Sequence, residues 1–142
     1  MLNESFRLAM RDADACAEEI SSVGAEKLRN LLEHRFAKKG GLPLWERLPN
    51  NVSRWRPDGW LRACEFVQFR ETIIFFDRHD SQIMWKFLSG DMLARVFKNA
   101  PALQFYITDS EASFILCYND HEYLIGVGAC KKWLEKLENL SG

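Results

Sequence analysis

Two short polar runs hold the side chains best suited to acid–base chemistry. One is Asp77-Arg78-His79-Asp80 and the other is Asp120-His121-Glu122. A histidine oriented by a carboxylate can act as a general acid or base. Both runs also have the composition of turns, and the chain has neither a G-x-S-x-G elbow nor a nucleophilic Cys/His signature. We therefore predict that the chain is not an enzyme, and we keep a small enzyme with His79 or His121 in a pocket as an alternative.

Thiol and imidazole side chains are the ligands that zinc prefers in proteins. The candidates are Cys64, His79, Cys117, His121 and Cys130. No C-x-x-C or H-x-x-x-H pair anchors this set, and a cysteine inside an apolar strand behaves as a small hydrophobic residue. We predict no bound metal, and cysteines that are reduced and mostly buried.

A glycine pair, Gly126-Val127-Gly128, follows a predicted strand and precedes a predicted helix. A dinucleotide-binding fingerprint would have this location, but Lys131 occupies the place of its third glycine. The pair therefore predicts a tight strand-to-helix turn, and we expect no cofactor.

Charge is distributed unevenly along the chain, although the net charge is only -1 and the pI is about 6.3. Between positions 35 and 62 the balance is locally +5, and three tryptophans are interleaved with the cations. The cations are Arg35, Lys38, Lys39, Arg47, Arg54, Arg56 and Arg62, and the tryptophans are Trp45, Trp55 and Trp60. Basic and aromatic side chains in alternation are typical of surfaces that bind single-stranded nucleic acid.

Residues 109–122 have the opposite charge, with four acids and no Lys or Arg. Acidic and aromatic groups together can attract and anchor a basic protein partner. Asp77 and Asp80 form a second acidic turn. The predicted partner-binding residues are Asp77, Asp80, Asp109, Glu111, Tyr118, Asp120, Glu122 and Tyr123.

The N-terminal part of the chain has the periodicity of helices. Apolar residues recur every three or four positions over 6–20 and again over 28–36, and the second stripe ends before the Lys-Lys-Gly-Gly run at 38–41. Residues 42–62 contain three prolines and no sustained period, which predicts an irregular connector with aromatic anchors.

Short strands are predicted after this connector, at 64–69, 72–76, 83–88, 103–108, 113–118 and 123–127. A short helix through 92–97 is inserted among them, and a C-terminal amphipathic helix carries Cys130, Trp133, Leu137 and Leu140 on one stripe. Most links are too short for parallel crossovers. We therefore predict one α+β domain over residues 1–142, with N-terminal helices, a largely antiparallel sheet of about six strands and a C-terminal helix.

The beginning of the chain has neither the basic nor the apolar part of a secretory signal, and no run approaches the roughly 18 apolar residues that span a bilayer. We expect a cytoplasmic protein without a membrane partner.

The C-terminal third resembles small bacterial immunity proteins encoded beside polymorphic toxins, including those of contact-dependent growth inhibition systems. The resemblance covers residues 105–109 (FYITD), 114–128 (FILCYNDHEYLIGVG) and the WLE helix at 133–135. It implies a cytosolic antidote that binds one cognate toxin domain, often a nuclease, and blocks its active site or substrate path. A nucleic-acid-binding or regulatory module that uses the basic, Trp-rich segment 45–62 is the main alternative.

Overall fold

The computed structural model describes residues 2–100 and 103–140. Its helices are α1 (Leu2–Asp12), α2 (Ser22–Phe36), α3 (Gly59–Val67), α4 (Leu93–Asn99) and α5 (Lys131–Glu135). Its strands are β1 (Glu18–Ile20), β2 (Val52–Trp55), β3 (Thr72–Phe75), β4 (Met84–Phe87), β5 (Phe105–Thr108), β6 (Phe114–Tyr118) and β7 (Tyr123–Gly128). Two 3₁₀ turns, Leu44–Arg47 and Gly90–Met92, complete the described elements.

The strands form one antiparallel sheet in the order β1-β4-β3-β5-β6-β7-β2. The predicted α+β class is therefore confirmed, with seven strands in the described residues where the sequence predicted about six. The hairpin β3–β4 and the meander β5–β6–β7 also agree with the prediction, because turn-forming residues separate these strands.

Both faces of the sheet are covered. On one face, apolar residues of α1, α3, α4 and α5 pack on alternate residues of the central strands, such as Ile74, Ile107 and Leu116. On the other face, α2 and the 3₁₀ turn at Leu44–Arg47 pack on the intervening residues, such as Ile73 and Ile115. Because two layers cover it, the central part of the sheet consists of almost uninterrupted apolar strands rather than strands that alternate with polar residues.

The predicted strand over 64–69 is wrong, because these residues belong to α3 or directly follow it. Ala63, Phe66 and Val67 all face the core, and they recur at helical spacing. Arg62 pairs with Asp58 and Glu65, four positions before it and three after it, as helical neighbours do. A short apolar run is ambiguous between strand and helix, and only the packing on the sheet decides between them.

The first helix ends at Asp12 instead of continuing to Ile20 as predicted. Asp14 adopts a left-handed backbone with φ 53°, and the Ala15 N–H donates to the Met10 carbonyl at 2.9 Å. This is the hydrogen bond of a Schellman helix end. The chain then reverses, and β1 pairs with β4 at the edge of the sheet.

The segment 42–62 is more regular than predicted. It contains a 3₁₀ turn, the edge strand β2 and the beginning of α3. β2 pairs with β7 from Val52 opposite Gly126 to Trp55 opposite Tyr123. Gly128 ends β7 with φ +75°, and a side chain there would collide with the Ser113 carbonyl and the Phe36 ring. The predicted tight turn between the last strand and the C-terminal helix is thus confirmed.

The C-terminal helix is shorter than its apolar stripe predicted, since α5 ends at Glu135. The following residues lie against β2, where the Leu140 N–H donates to the Trp55 carbonyl at 3.1 Å. No helix in the described part of the chain combines the length and the apolar character needed to cross a membrane.

Candidate functional site

The predicted acidic surface is divided between the two ends of the sheet. β6 separates the turn that holds Asp109 and Glu111 from the turn that holds Asp120 and Glu122. A five-residue strand is roughly 17 Å long. The structure therefore corrects the prediction of one acidic face over 109–122, because its two halves lie at opposite ends of β6.

Asp77, also predicted to bind a partner, is buried, with only 6% of its surface exposed. Its carboxylate accepts hydrogen bonds from the Leu44 backbone N–H at 3.0 Å, from Gln104 Nε2 at 2.9 Å and from the Tyr106 hydroxyl at 2.9 Å. Burial raises the pKa of Tyr106, so this hydroxyl keeps its proton and can donate it. The placement of Asp77 on an exposed acidic turn is wrong, because this carboxylate joins β3, β5 and the 3₁₀ turn.

Asp109 has a local role as well. Its Oδ1 accepts from the backbone N–H groups of Glu111 at 3.1 Å and Ser113 at 2.9 Å, which holds the β5–β6 turn. Glu111 is exposed at that turn, and Asp80 is exposed beside His79. These three residues do not come together with the turn that follows β6.

A cleft of about 560 Å³ lies beside the β6–β7 turn, at the end of the sheet where α3 begins and α4 ends. Among its lining residues, Phe97 stacks on Phe105 with ring centroids 4.4 Å apart, and Phe105 is 6.0 Å from Tyr118. The lining consists of Pro57, Trp60, Phe97, Lys98, Ala100, Leu103, Gln104, Phe105, Tyr118, Asn119, Asp120 and Glu122. We call it the acidic–aromatic cleft. Three of the predicted residues, Tyr118, Asp120 and Glu122, meet here.

Tyr118 is held rigidly in the wall of this cleft. Its hydroxyl donates to the Pro57 carbonyl at 2.9 Å. Its ring lies against Gly59 so closely that a side-chain carbon at this glycine would be 2.6 Å from the ring. Burial raises the pKa of Tyr118, and the charges of Glu122 and Asp58 raise it further. The hydroxyl therefore remains protonated at neutral pH and keeps its bond to the loop before α3.

The β6–β7 turn is organised by Asn119, whose side chain is buried. Its Oδ1 accepts from the backbone N–H groups of His121 at 3.0 Å and Tyr123 at 2.9 Å. The Asp120 N–H donates to Gln104 Oε1 at 3.2 Å, and Glu122 adopts a left-handed backbone with φ 66°. The turn thus fixes the backbone of Asp120 and Glu122 before any partner arrives, which lowers the entropy cost of binding.

Neither Asp120 nor Glu122 forms an ion pair with a Lys or Arg of the described chain, and the nearest paired group is His121, with its Nε2 3.5 Å from Asp120 Oδ1. Lys98 is the only cation among the described lining residues. Tyr123 follows the turn at the start of β7 and is 39% exposed. The cleft therefore offers unpaired negative charge next to an aromatic wall.

Most of the arginines proposed for nucleic-acid binding form hydrogen bonds or ion pairs with other residues of this chain. Arg54 donates to the carbonyls of Leu137 and Glu135, and Arg56 donates to Asp58 and to the Glu138 carbonyl. Arg35 donates to the carbonyls of the β5–β6 turn, and Arg47 pairs with Glu33. Trp60, placed in the basic segment by the sequence, lines the acidic–aromatic cleft instead.

We predict that the double variant Arg54→Ala/Arg56→Ala loses stability, because it weakens the attachment of the C-terminal segment to β2. Six hydrogen bonds of the two arginines to carbonyls and to Asp58 are removed, which should cost roughly 2–4 kcal/mol at well under about 1 kcal/mol for each exposed bond. Urea denaturation followed by tryptophan fluorescence would measure this. An unchanged midpoint together with loss of nucleic-acid binding would instead support the alternative function of the basic segment.

The two histidines considered for catalysis lie at the surface. The side chains of His79 and His121 are 77% and 66% exposed, and each imidazole lies 3.4–3.5 Å from the neighbouring aspartate. The Trp45 ring is 6.0 Å from that of His121 in an edge-on arrangement. Neither imidazole is held against a carboxylate in a water-excluded cavity, where a general base is most effective.

The cysteines are free thiols, of which Cys16 is exposed and Cys64, Cys117 and Cys130 are buried. No cluster of three or more potential metal ligands occurs within 2–100 and 103–140. Burial raises the pKa of Cys64 and of Cys130 to about 12 and that of Cys117 well above its usual value. The prediction of mostly buried thiols is confirmed.

This burial predicts that the native protein reacts with one equivalent of a thiol reagent such as dithionitrobenzoate, at Cys16, because thiolates are the reactive species. The remaining three thiols should react only after unfolding. A Cys16→Ser variant is the control and should show no fast phase. Rapid modification of two or more thiols in the native protein would contradict the burial described above.

Comparison with protein-family models, with curated proteins and with solved structures returns no match for this chain. Sequence reasoning missed Phe97 and Gln104, since no local pattern marks residues that reach the cleft from α4 and β5, and it assigned Trp60 to a different surface.

Proposed function

We propose that this protein is a bacterial immunity protein that binds a cognate toxin domain of the nuclease class in the cytosol and neutralises it. The observation that carries the proposal is the acidic–aromatic cleft, in which Asp120 and Glu122 lack a Lys or Arg partner among the described residues and stand beside the fixed ring of Tyr118. The resemblance of residues 105–109, 114–128 and 133–135 to immunity proteins of contact-dependent growth inhibition systems supports the same function.

The dimensions of the cleft indicate what it binds. A volume of about 560 Å³ is sufficient for one or two long side chains, and the carboxylates of Asp120 and Glu122 at the cleft would repel the phosphates of a nucleic acid. An Arg or Lys from a partner can lay its aliphatic part on Trp60 and Tyr118 and place its charge near Asp120 and Glu122. Such an aromatic pocket with charged rim residues is typical of an interface hot spot.

A nuclease toxin suits this surface because it must bind phosphates. Its active face is cationic, and the same cations that bind phosphates can pair with the carboxylates of an inhibitor. Electrostatic attraction also speeds association, which an antidote needs. The nucleic-acid alternative has less support, since Arg54, Arg56 and Arg62 already bind carbonyls or carboxylates of this chain.

Co-expression with the product of the gene immediately upstream, which the proposal expects to encode the toxin, tests the proposal. We expect the host to survive only when both proteins are made, and the two to purify as a complex whose association slows as salt is raised. The toxin domain with its catalytic residue disabled serves as the control for binding without toxicity. Continued killing in the presence of the folded protein, with no complex recovered, would refute the function.

A further inference from the structure

A second cleft lies on the opposite face of the sheet, where α2 packs. It has a volume of about 790 Å³ and is formed by the end of α2, the loop 38–42, the 3₁₀ turn at Leu44–Arg47 and the residues after β3. The charged groups in its lining are Arg29, Glu33, His34, Lys38, Lys39, Arg47, Asp77, Arg78 and His79. Lys and Arg outnumber the acids by five to two. We call it the cationic cleft.

The two carboxylates of the cationic cleft are already occupied. Glu33 accepts from Arg47 at 3.1 Å and from Arg78 at 3.0 Å, and so it fixes two guanidinium groups in the wall. Burial alone would raise the pKa of Glu33, but these hydrogen bonds lower it overall. Asp77 binds Tyr106, Gln104 and Leu44, as described above. Neither acid is therefore free to neutralise the remaining cations.

Arg29 is the most informative residue of the cationic cleft, since only 4% of its surface is exposed. Its guanidinium donates to the carbonyls of Phe76 at 2.9 Å and Ser81 at 3.5 Å and stands 5.3 Å from the centre of the Phe75 ring. It forms no ion pair with a carboxylate in the described part of the chain. Glu26, Glu33 and Asp77 lie near enough to stabilise this buried charge in part, and a bound anion would add a direct counter-ion.

The rim of the cationic cleft adds donors that are not used within the described chain. Lys38 and Lys39 are exposed and form no ion pair with the described residues. The backbone N–H groups of residues 39–42, in a segment with Gly40 and Gly41, donate to no protein acceptor among residues 2–100 and 103–140. Lysine ammonium groups and free main-chain N–H groups are both typical ligands of phosphate oxygens.

We propose that the cationic cleft is a binding site for a phosphorylated small molecule of nucleotide size. Although Glu26 beside the cleft also pairs with Arg78, the excess of Lys and Arg in the lining suits a di- or triphosphate better than a single carboxylate, and the volume lies within the range of sites for small ligands. Lys38, Lys39 and the loop 39–42 contact the phosphates, and Arg29 provides the buried positive charge beneath them. This site is distinct from the proposed toxin interface, because the two clefts lie on opposite faces of the sheet.

Isothermal titration of the full chain, purified without phosphate, with ADP and with inorganic pyrophosphate tests the site. We expect both probes to bind and adenosine, which has no phosphate, not to bind. The variant Lys38→Ala/Lys39→Ala should bind ADP roughly tenfold more weakly. Both lysines are exposed, so the variant should keep the fold, which its circular dichroism and melting temperature would verify.

The chain offers a matched control in Lys131→Ala/Lys132→Ala, a second adjacent lysine pair, at the start of α5. This control should bind ADP as the unmodified protein does. An equal loss of affinity in both variants would overturn the proposal, as it would indicate nonspecific attraction. Absence of binding at millimolar ADP and pyrophosphate, or equal binding of adenosine, would also overturn it.

Discussion

The double substitution Asp120→Lys/Glu122→Lys is expected to weaken the complex with the cognate toxin domain by roughly 10³-fold. Each reversal replaces a favourable charge contact by a repulsive one, and a cost of about 2 kcal/mol for each is typical of close charge pairs at an interface. Affinity measured by calorimetry or surface plasmon resonance gives the result. Loss of rescue in co-expressing cells should accompany it.

The fold should tolerate this double substitution. Both side chains are exposed and neither pairs with a Lys or Arg of the described chain, so the expected change in the free energy of unfolding is below about 0.5 kcal/mol for each. In the Glu122→Lys substitution the new residue adopts the same left-handed backbone conformation as glutamate. The strain at φ 66° is therefore unchanged.

A matched control is the double variant Asp12→Lys/Glu111→Lys, which makes the same change in net charge at two exposed acids away from the acidic–aromatic cleft. It should alter the affinity by only about threefold, through the overall field of the molecule. If the control weakens binding as much as the cleft variant does, or if the cleft variant binds normally, the assignment of the interface to this cleft is wrong.

The largest expected effect on stability is that of Asp77→Ala, which should cost roughly 3–5 kcal/mol. The substitution leaves the buried donors of Tyr106, Gln104 and Leu44 without their acceptor. For a chain of this size the melting temperature would fall by about 10 °C or more. Calorimetry or urea denaturation measures the change.

Asp80→Ala is the control for this prediction, since Asp80 is the neighbouring exposed acid and should cost less than about 0.5 kcal/mol. The Asp77→Asn variant retains one carbonyl acceptor, so its loss of stability should lie between those of Asp77→Ala and Asp80→Ala. A stable Asp77→Ala variant that nevertheless fails to bind the toxin domain would contradict the structural role and return Asp77 to the interface.

The part of the fold that could be predicted from the sequence is the part whose signals are local. The β5–β6–β7 meander was predicted to within two residues at each boundary, because polar turns separate long apolar runs. The edge strands β1 and β2 have only three and four residues and no distinctive pattern, and they become strands through pairing with β4 and β7. Residues 64–67 have side chains that suit either a strand or a helix, so packing against the sheet determines their conformation.

Some residues of the candidate site could likewise be predicted from local sequence signals, and others depend on tertiary packing. Asp120 and Glu122 could be found from the sequence because a hairpin turn places its polar residues at the surface. The burial of Asp77 could not be predicted from the sequence, since its hydrogen-bond partners lie 27 to 33 positions away in the chain. The cationic cleft could not be predicted from the sequence either, because Arg29 and Arg78 come near Lys38 and Lys39 only when α2 packs on the sheet.

Hydrogen exchange measured by mass spectrometry on the protein alone and in complex with the toxin domain tests the central claim most directly. We predict that the complex slows exchange in peptides that cover residues 118–123 and the beginning of α3, the two walls of the acidic–aromatic cleft. The turn at 109–112, at the other end of β6, should exchange as it does in the free protein. Protection confined to that turn or to the cationic cleft, with residues 118–123 unchanged, would contradict the account.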